Sequence, residues 1–229
     1  MKIYHQHQWN ISISEAFRVQ HRLKNQVVLT ENPPLSTIQT VAAADISFSK
    51  GSHQLFGAVV LVQFPDLVPI EIYYASGKVD FPYVPGYLSF REIPILIKIF
   101  EKINHTVDIV LCDSQGIAHP RRFGLACHLG VLLDKPTIGC AKSRLIGSYE
   151  PPDQKKGAYA YLYDGEEKIG VVLRSRENVK PIFVSPGHRM SIENARKVAA
   201  RCVKKYRIPE PLRLAHQKVN KLRRKSEGN

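Results

Sequence analysis

Residues 56–64 read Phe56-Gly57-Ala58-Val59-Val60-Leu61-Val62-Gln63-Phe64. The unbroken apolar run from Ala58 to Val62 leaves no polar side for a half-exposed strand. It predicts a strand buried on both faces, as at the centre of a layered domain. Strand-like segments flank it at 40–47 and 70–75. Before them, residues 12–29 read as a helix. Ser12 and Glu15 have capping-box spacing, Ala16, Val19, Leu23 and Val27 keep the helical period, and Asn32-Pro33-Pro34 stops it.

After the strands the pattern changes. Residues 92–103 carry Ile95, Ile99 and Ile103 on one helical stripe, and a short apolar run at 107–112 ends in Asp113. A helix is predicted from about 123 to 133 and a strand at 137–141. Residues 158–174 resemble a hairpin around Asp164-Gly165, and 182–185 form a further strand candidate. Ser191 caps a helix carrying Ala195, Val198, Ala199, Cys202 and Tyr206, and Pro209 and Pro211 separate it from a basic final helix. Strands in succession, then strand–helix–strand alternation, predict an α/β domain whose central mixed sheet is flanked by helices.

The chain has 229 residues, 44% hydrophobic and 23% charged, enough for one domain with a real core. No stretch approaches about 18 uninterrupted apolar residues, and Met1-Lys2-Ile3-Tyr4-His5 lacks the features of a secretory signal. Cys112, Cys127, Cys140 and Cys202 show no CxxC pairing, which argues against a zinc site or a disulfide scaffold and for reduced thiols in a cytoplasm. The formal net charge of +13 concentrates polyanions, with nucleic acid first and membrane surfaces or acidic proteins behind it. No motif demands more than a monomer.

Three acids stand out by position. Asp45 interrupts the small-residue strand Val41-Ala42-Ala43-Ala44, Asp113 ends Ile109-Val110-Leu111-Cys112, and Glu92 follows Leu88-Ser89-Phe90-Arg91. Carboxylates on buried strands are costly unless a cation compensates them, and hard oxygen ligands suit magnesium. Each acid also has a plainer role: Asp45 as the partner of a buried cation, Asp113 in a turn before Gly116, Glu92 closing a capping box with Ser89. In Phe81-Pro82-Tyr83-Val84-Pro85-Gly86-Tyr87, prolines on both sides present Tyr83, either for insertion into a base stack or folded back on the core. In the stretch 115–124, Gly116 permits close backbone approach, and His119, Arg121 and Arg122 offer donors ahead of a helix. Ala141-Lys142-Ser143-Arg144 places two cations and a hydroxyl at a strand end, suited to phosphate or to plain solvent. The C-terminal segment is dense in cations from Arg213 to Lys225. Its far part, about 217–229, is expected to be flexible, and phosphate contacts suit the cations nearer the body. His216 lies on this segment, with Val219 and Leu222 on neighbouring turns.

Ala44-Asp45-Ile46-Ser47-Phe48, the stretch from Tyr83 to Glu92, that from Asp113 to Gly124 and Ala141-Lys142-Ser143-Arg144-Leu145-Ile146-Gly147 together resemble the motifs of endonuclease V, in family order over nearly the whole chain. The resemblance implies one domain over 1–229 with a ribonuclease H-like fold. It implies magnesium, with manganese as its substitute, on Asp45, Glu92 and Asp113, with His216 completing the catalytic group. Pro82, Tyr83, Val84 and Pro85 resemble the family's wedge, which fills the space of a flipped base. Gly116 and His119 resemble its hypoxanthine pocket, and Lys142, with Ser143 beside it, a position near the scissile phosphate. Family members nick the second phosphodiester bond 3′ to deoxyinosine. The implied partner is therefore DNA holding deoxyinosine or another deaminated base, with single-stranded nucleic acid or RNA as further substrates. An inosine-directed endoribonuclease and a non-catalytic basic binder are the alternatives. Ser114 departs from the glycine that members commonly carry there, and its hydroxymethyl group is expected to narrow the base pocket.

Overall fold

The computed structural model describes residues 1–30, 33–49 and 53–228; Asn32, read above as part of a helix stop, lies outside them. Its frame is an eight-stranded sheet. β1 (Thr40–Phe48), β2 (Gln54–Gln63) and β3 (Val68–Lys78) form an antiparallel meander. β4 (Ile109–Cys112) pairs parallel with β1, and β5 (Thr137–Ala141) parallel with β4. β6 (Tyr159–Asp164), β7 (Glu167–Leu173) and β8 (Ile182–Pro186) complete the order β3-β2-β1-β4-β5-β8-β7-β6, β8 lying antiparallel to β5. This is the mixed α/β sheet expected. The run at 58–62 is indeed buried on both faces, although β2 stands next to an edge strand. Helices on both sides of the sheet cover it there.

The helices are α1 (Ile13–Lys24), α2 (Leu88–Phe100), α3 (Leu125–Leu133), α4 (Ile192–Arg201) and α5 (Glu210–Ser226). Three of them differ from the reading of the sequence. α1 starts as expected, with the Ser12–Glu15 capping box present, but stops at Lys24 rather than continuing to 29. A tertiary bond takes over there: the Val28 N–H donates to His188 Nδ1 at 3.3 Å. α2 begins at Leu88, a turn earlier than predicted, because Gly86 at φ +82° turns the chain just before it. Ser89 is therefore inside the helix and caps nothing; its hydroxyl bonds His128 Nδ1 at 3.0 Å. Pro94 is accommodated within α2. At the other end of the chain α4 stops before Tyr206, which is exposed. Among the described residues no helix is long and apolar enough to cross a membrane.

The period of two along β1 and β4 sorts their side chains onto two cores. Val41, Ala43, Ile109 and Leu111 face a cluster shared with Ala195 and Val198 of α4 and Leu212 and Ala215 of α5. Ala42, Ala44, Val110 and Cys112 face Ile93, Leu96 and Ile99 of α2 and Leu125 and Leu129 of α3. The small residues of β1 let helices approach closely from both sides. Gly57 on β2 does the same for α2: a Cβ there would lie 2.9 Å from both Ile95 Cγ2 and Ile99 Cδ1. Gly57→Val is therefore expected to lift α2 off the sheet and to cost about 1–3 kcal/mol by overpacking. Urea unfolding checks this, and an unshifted midpoint would refute the close approach.

Candidate active site

Continuing the same period, Asp45 and Asp113 fall on the α5 side of the sheet, at the ends of neighbouring parallel strands. Ala44 pairs with Cys112 in the register, so the two aspartates follow side by side. Glu92 reaches the same cleft from the first turns of α2, where Asp45, Glu92, Asp113 and Ser114 all form part of its wall. Lys142, the residue after β5, forms an ion pair with Asp113. His216 of α5 donates from Nδ1 to Asp45 Oδ2 at 2.8 Å. Behind it, Asn220 Nδ2 donates to His216 Nε2 at 3.2 Å, Ser47 Oγ donates to Asn220 Oδ1 at 3.0 Å, and Arg223 Nε donates to Ser47 Oγ at 3.0 Å. This chain holds the imidazole in one orientation and tautomer.

Three carboxylates in one cleft repel one another. Burial first, then the charge of Asp113, pushes Asp45 up to about 6 despite its bonds to His216 and the nearby Lys142. Although part of its surface reaches solvent, Glu92 stands in close-packed surroundings. Burial, then Asp45 and Asp113, drives it up to about 8. Negative charge thus exceeds what Lys142 and His216 offset. One ligand atom each from Asp45, Asp113 and His216 lies within 4.8 Å of the others, a group that could hold a metal ion. Glu92 borders the cleft without joining that group. Predominantly oxygen donors with excess negative charge fit a hard divalent cation.

Beside the cleft opens a cavity of about 310 Å³, with Tyr83, Val84 and Pro85 on one wall and Ser114, Gln115 and His119 on another. Tyr83 is 71% exposed, so the loop presents its ring rather than folding it onto the core. Ser143 also borders the cavity, and its carbonyl accepts from Gln115 Nε2 at 3.0 Å. Pro82, Gly116 and Lys142 do not line it. The open face of Gly116 is instead taken by the chain itself, since a Cβ there would collide with the Pro186 carbonyl. Burial, aided by Arg121, lowers His119 to about 4, so its imidazole is neutral at neutral pH. Ser114 Oγ and Gln115 Oε1 are buried without a hydrogen-bond partner.

Residues 21–217 match the sequence profile of the Endonuclease V family. The chain belongs to the endonuclease V family. The endonuclease V of Nostoc punctiforme is 49% identical over 215 residues, 94% of this chain and 97% of that protein. The crystal structure of endonuclease V from Bacillus subtilis superposes with a TM-score of 0.95 at 30% identity, covering 100% of both chains. Endonuclease V of Ciona intestinalis, crystallised with a 24mer DNA containing an inosine followed by a ribo-adenosine, superposes at 0.83 with 32% identity, covering 93% of this chain and 98% of that one. The family is one of nucleases, and it is in this setting that the acid cleft and the cavity meet at Ser114.

Reading the sequence missed three positioning residues of this endonuclease V fold. Ser47 and Asn220 orient His216, and Asn220 was within reach as the residue one helical turn on. Gln20, buried on the same face of α1 as Ala16 and Leu23, donates to the carbonyls of Gly86 at 3.2 Å and Phe123 at 3.0 Å. Arg121 donates to Gln20 Oε1 at 2.5 Å and to the Gly86 carbonyl at 2.7 Å, so the two walls of the cavity are tied together.

The raised pKa of Glu92 fixes a sign. Its neutral form supports the fold fully below about 4.5, and that support is lost as the pH rises through about 8. In EDTA, Glu92→Gln should melt with the parent near pH 4.5 and increasingly above it toward pH 8. A difference in melting temperature that stays flat with pH would refute the crowding of charge around Glu92.

Proposed function

We propose that this chain, as one domain over residues 1–229, recognises inosine in DNA and hydrolyses the second phosphodiester bond 3′ to it, leaving a nick. The observation that carries this reading is the pairing of a base-sized cavity with an acid cleft across a shared wall, formed by Ser114 and Leu125. The inosine-containing DNA bound by the Ciona relative supports the substrate. The separation of cavity and cleft accounts for a cut displaced from the base that is read.

In this reading Asp45, Glu92 and Asp113 hold Mg²⁺, or Mn²⁺ in its place, with His216 beside them. Such a cation contributes Lewis-acid polarisation of the scissile phosphate and a lowered pKa for the attacking water. The chain's own groups do the rest. Lys142, now paired with Asp113, is placed to donate to a phosphate oxygen while the acids are otherwise engaged. His216, its Nδ1–H on Asp45, offers Nε2 to a water or a proton in transit, with Asn220 giving way. Tyr83 between its prolines stacks into the gap left by an extruded base. Neutral His119 and the unpaired oxygens of Ser114 and Gln115 belong to the wall that meets that base. Both oxygens lie in a low-dielectric setting where an unmade hydrogen bond costs about 1–3 kcal/mol.

An end-labelled duplex carrying one deoxyinosine should be nicked in Mg²⁺ or Mn²⁺ and left intact in EDTA. Matched RNA and inosine-free strands complete the comparison. Absence of an inosine-dependent nick would sink the reading. Asp113→Asn should slow cutting at least about 100-fold, the scale of losing one electrostatic element of such a site, while binding persists. Tyr83→Ala should reduce the preference for inosine over normal DNA by about tenfold, since stacking on one aromatic is worth about 1–3 kcal/mol. An unchanged preference in a competition binding assay would rule out the wedge.

A further inference from the structure

His216, which bonds Asp45 of the acid cleft, also borders an open groove of about 630 Å³ that runs along α5, lined by His216, Gln217, Asn220, Lys221, Arg224 and Lys225. Among the described residues no carboxylate borders this groove. Two other cations of the same helix are neutralised: Arg213 pairs with Glu210, and Arg223 with Glu227. Lys221, Arg224 and Lys225 are exposed and have no acidic partner among the described residues. Their positions recur along one side of the helix, and they begin where His216 meets Asp45. At about 1.5 Å per residue, Lys221 stands roughly 7 Å along the axis from His216, and Arg224 and Lys225 roughly 12–14 Å. The phosphates of an extended strand repeat on this same scale, so the cations match the first and second phosphates beyond one held at the acids.

We infer that this face of α5 is a phosphate track, holding the substrate strand on one side of the cut through Lys221, Arg224 and Lys225. The inference rests on the nuclease reading above and adds to it a surface that lies outside both cleft and cavity. The occupant is the sugar–phosphate backbone of a single strand, recognised by charge and not by base identity. Contacts of this kind set register on the strand and release counterions when they form.

The test measures affinity against salt, in EDTA, for single-stranded oligonucleotides with and without one inosine. The variant Lys221→Gln/Arg224→Gln/Lys225→Gln should flatten the slope of log Kd against log salt by about 1.4 for both oligonucleotides, since the track holds two phosphates and each lost phosphate contact removes about 0.7 on single strands. The control Lys102→Gln/Lys135→Gln changes charge at the opposite end of the sheet, beyond α2 and before β5, and should leave the slope as it was. In a second arm, single methylphosphonate linkages placed one and two phosphates from the cut, on each side in turn, should weaken binding of the parent. On the side that follows α5 they should leave the triple variant unaffected. An unchanged slope in the triple variant, or an equal flattening per charge in the control, overturns the track. Parent protein that binds with the expected slope yet never nicks at inosine would instead overturn the proposed function and leave the track standing.

Discussion

Two carboxylates placed side by side at the ends of parallel strands are the constraint around which the rest of this molecule is arranged. Asp45 and Asp113 share a sheet face by the register of β1 and β4, and Glu92 brings a third charge from the opposite layer. Such a group is destabilising by itself, as the upward shifts of Asp45 and Glu92 express. The surrounding parts offset it incompletely. β5 delivers Lys142 to Asp113, and α5 delivers His216 to Asp45. The remaining negative charge fits the cleft to hold a divalent cation. A fully neutralised triad would be a better piece of scaffolding and a poorer active site.

The second half of the site is held by polar bonds that span the chain. Gln20 from α1 and Arg121 both bond the Gly86 carbonyl, and Gln20 also bonds that of Phe123. The proline-bracketed loop and the segment 115–124 therefore form one rigid mouth. Gly116 serves this arrangement by letting the segment lie against β8, where its N–H donates to Ser185 Oγ at 2.8 Å. The mouth thus has a firm frame around Tyr83, whose ring is left in solvent. A rigid frame with one exposed aromatic is well suited to separating stacked bases, because little ordering remains to be done on binding.

Much of this was legible in the sequence, and the reasons differ by residue. The run 58–62 announced a doubly buried strand because five apolar side chains in succession admit no solvent face. Asp45 and Asp113 were conspicuous because each breaks such a run. Other positions were misread where local and tertiary demands compete. The spacing of Ser89 and Glu92 fits a capping box, yet Ser89 is drawn to His128 and α2 begins before it. The helical period up to Val27 fits a longer α1, yet the Val28 N–H finds His188, 160 residues away in the chain. A polar side chain with a local and a distant partner gives no sign of which one it will take.

By itself the sequence determined the class of the fold, its family and the kinds of residue available for chemistry. Those follow from composition, from periods of two and of 3.6, and from ordered motifs, all of which are local along the chain. Only the tertiary structure decided which groups meet. Strand register made neighbours of Asp45 and Asp113, and helix packing carried His216 across 171 positions to Asp45. Contacts between distant residues depend on how layers dock, and docking is set by the shape of whole faces rather than by any one segment.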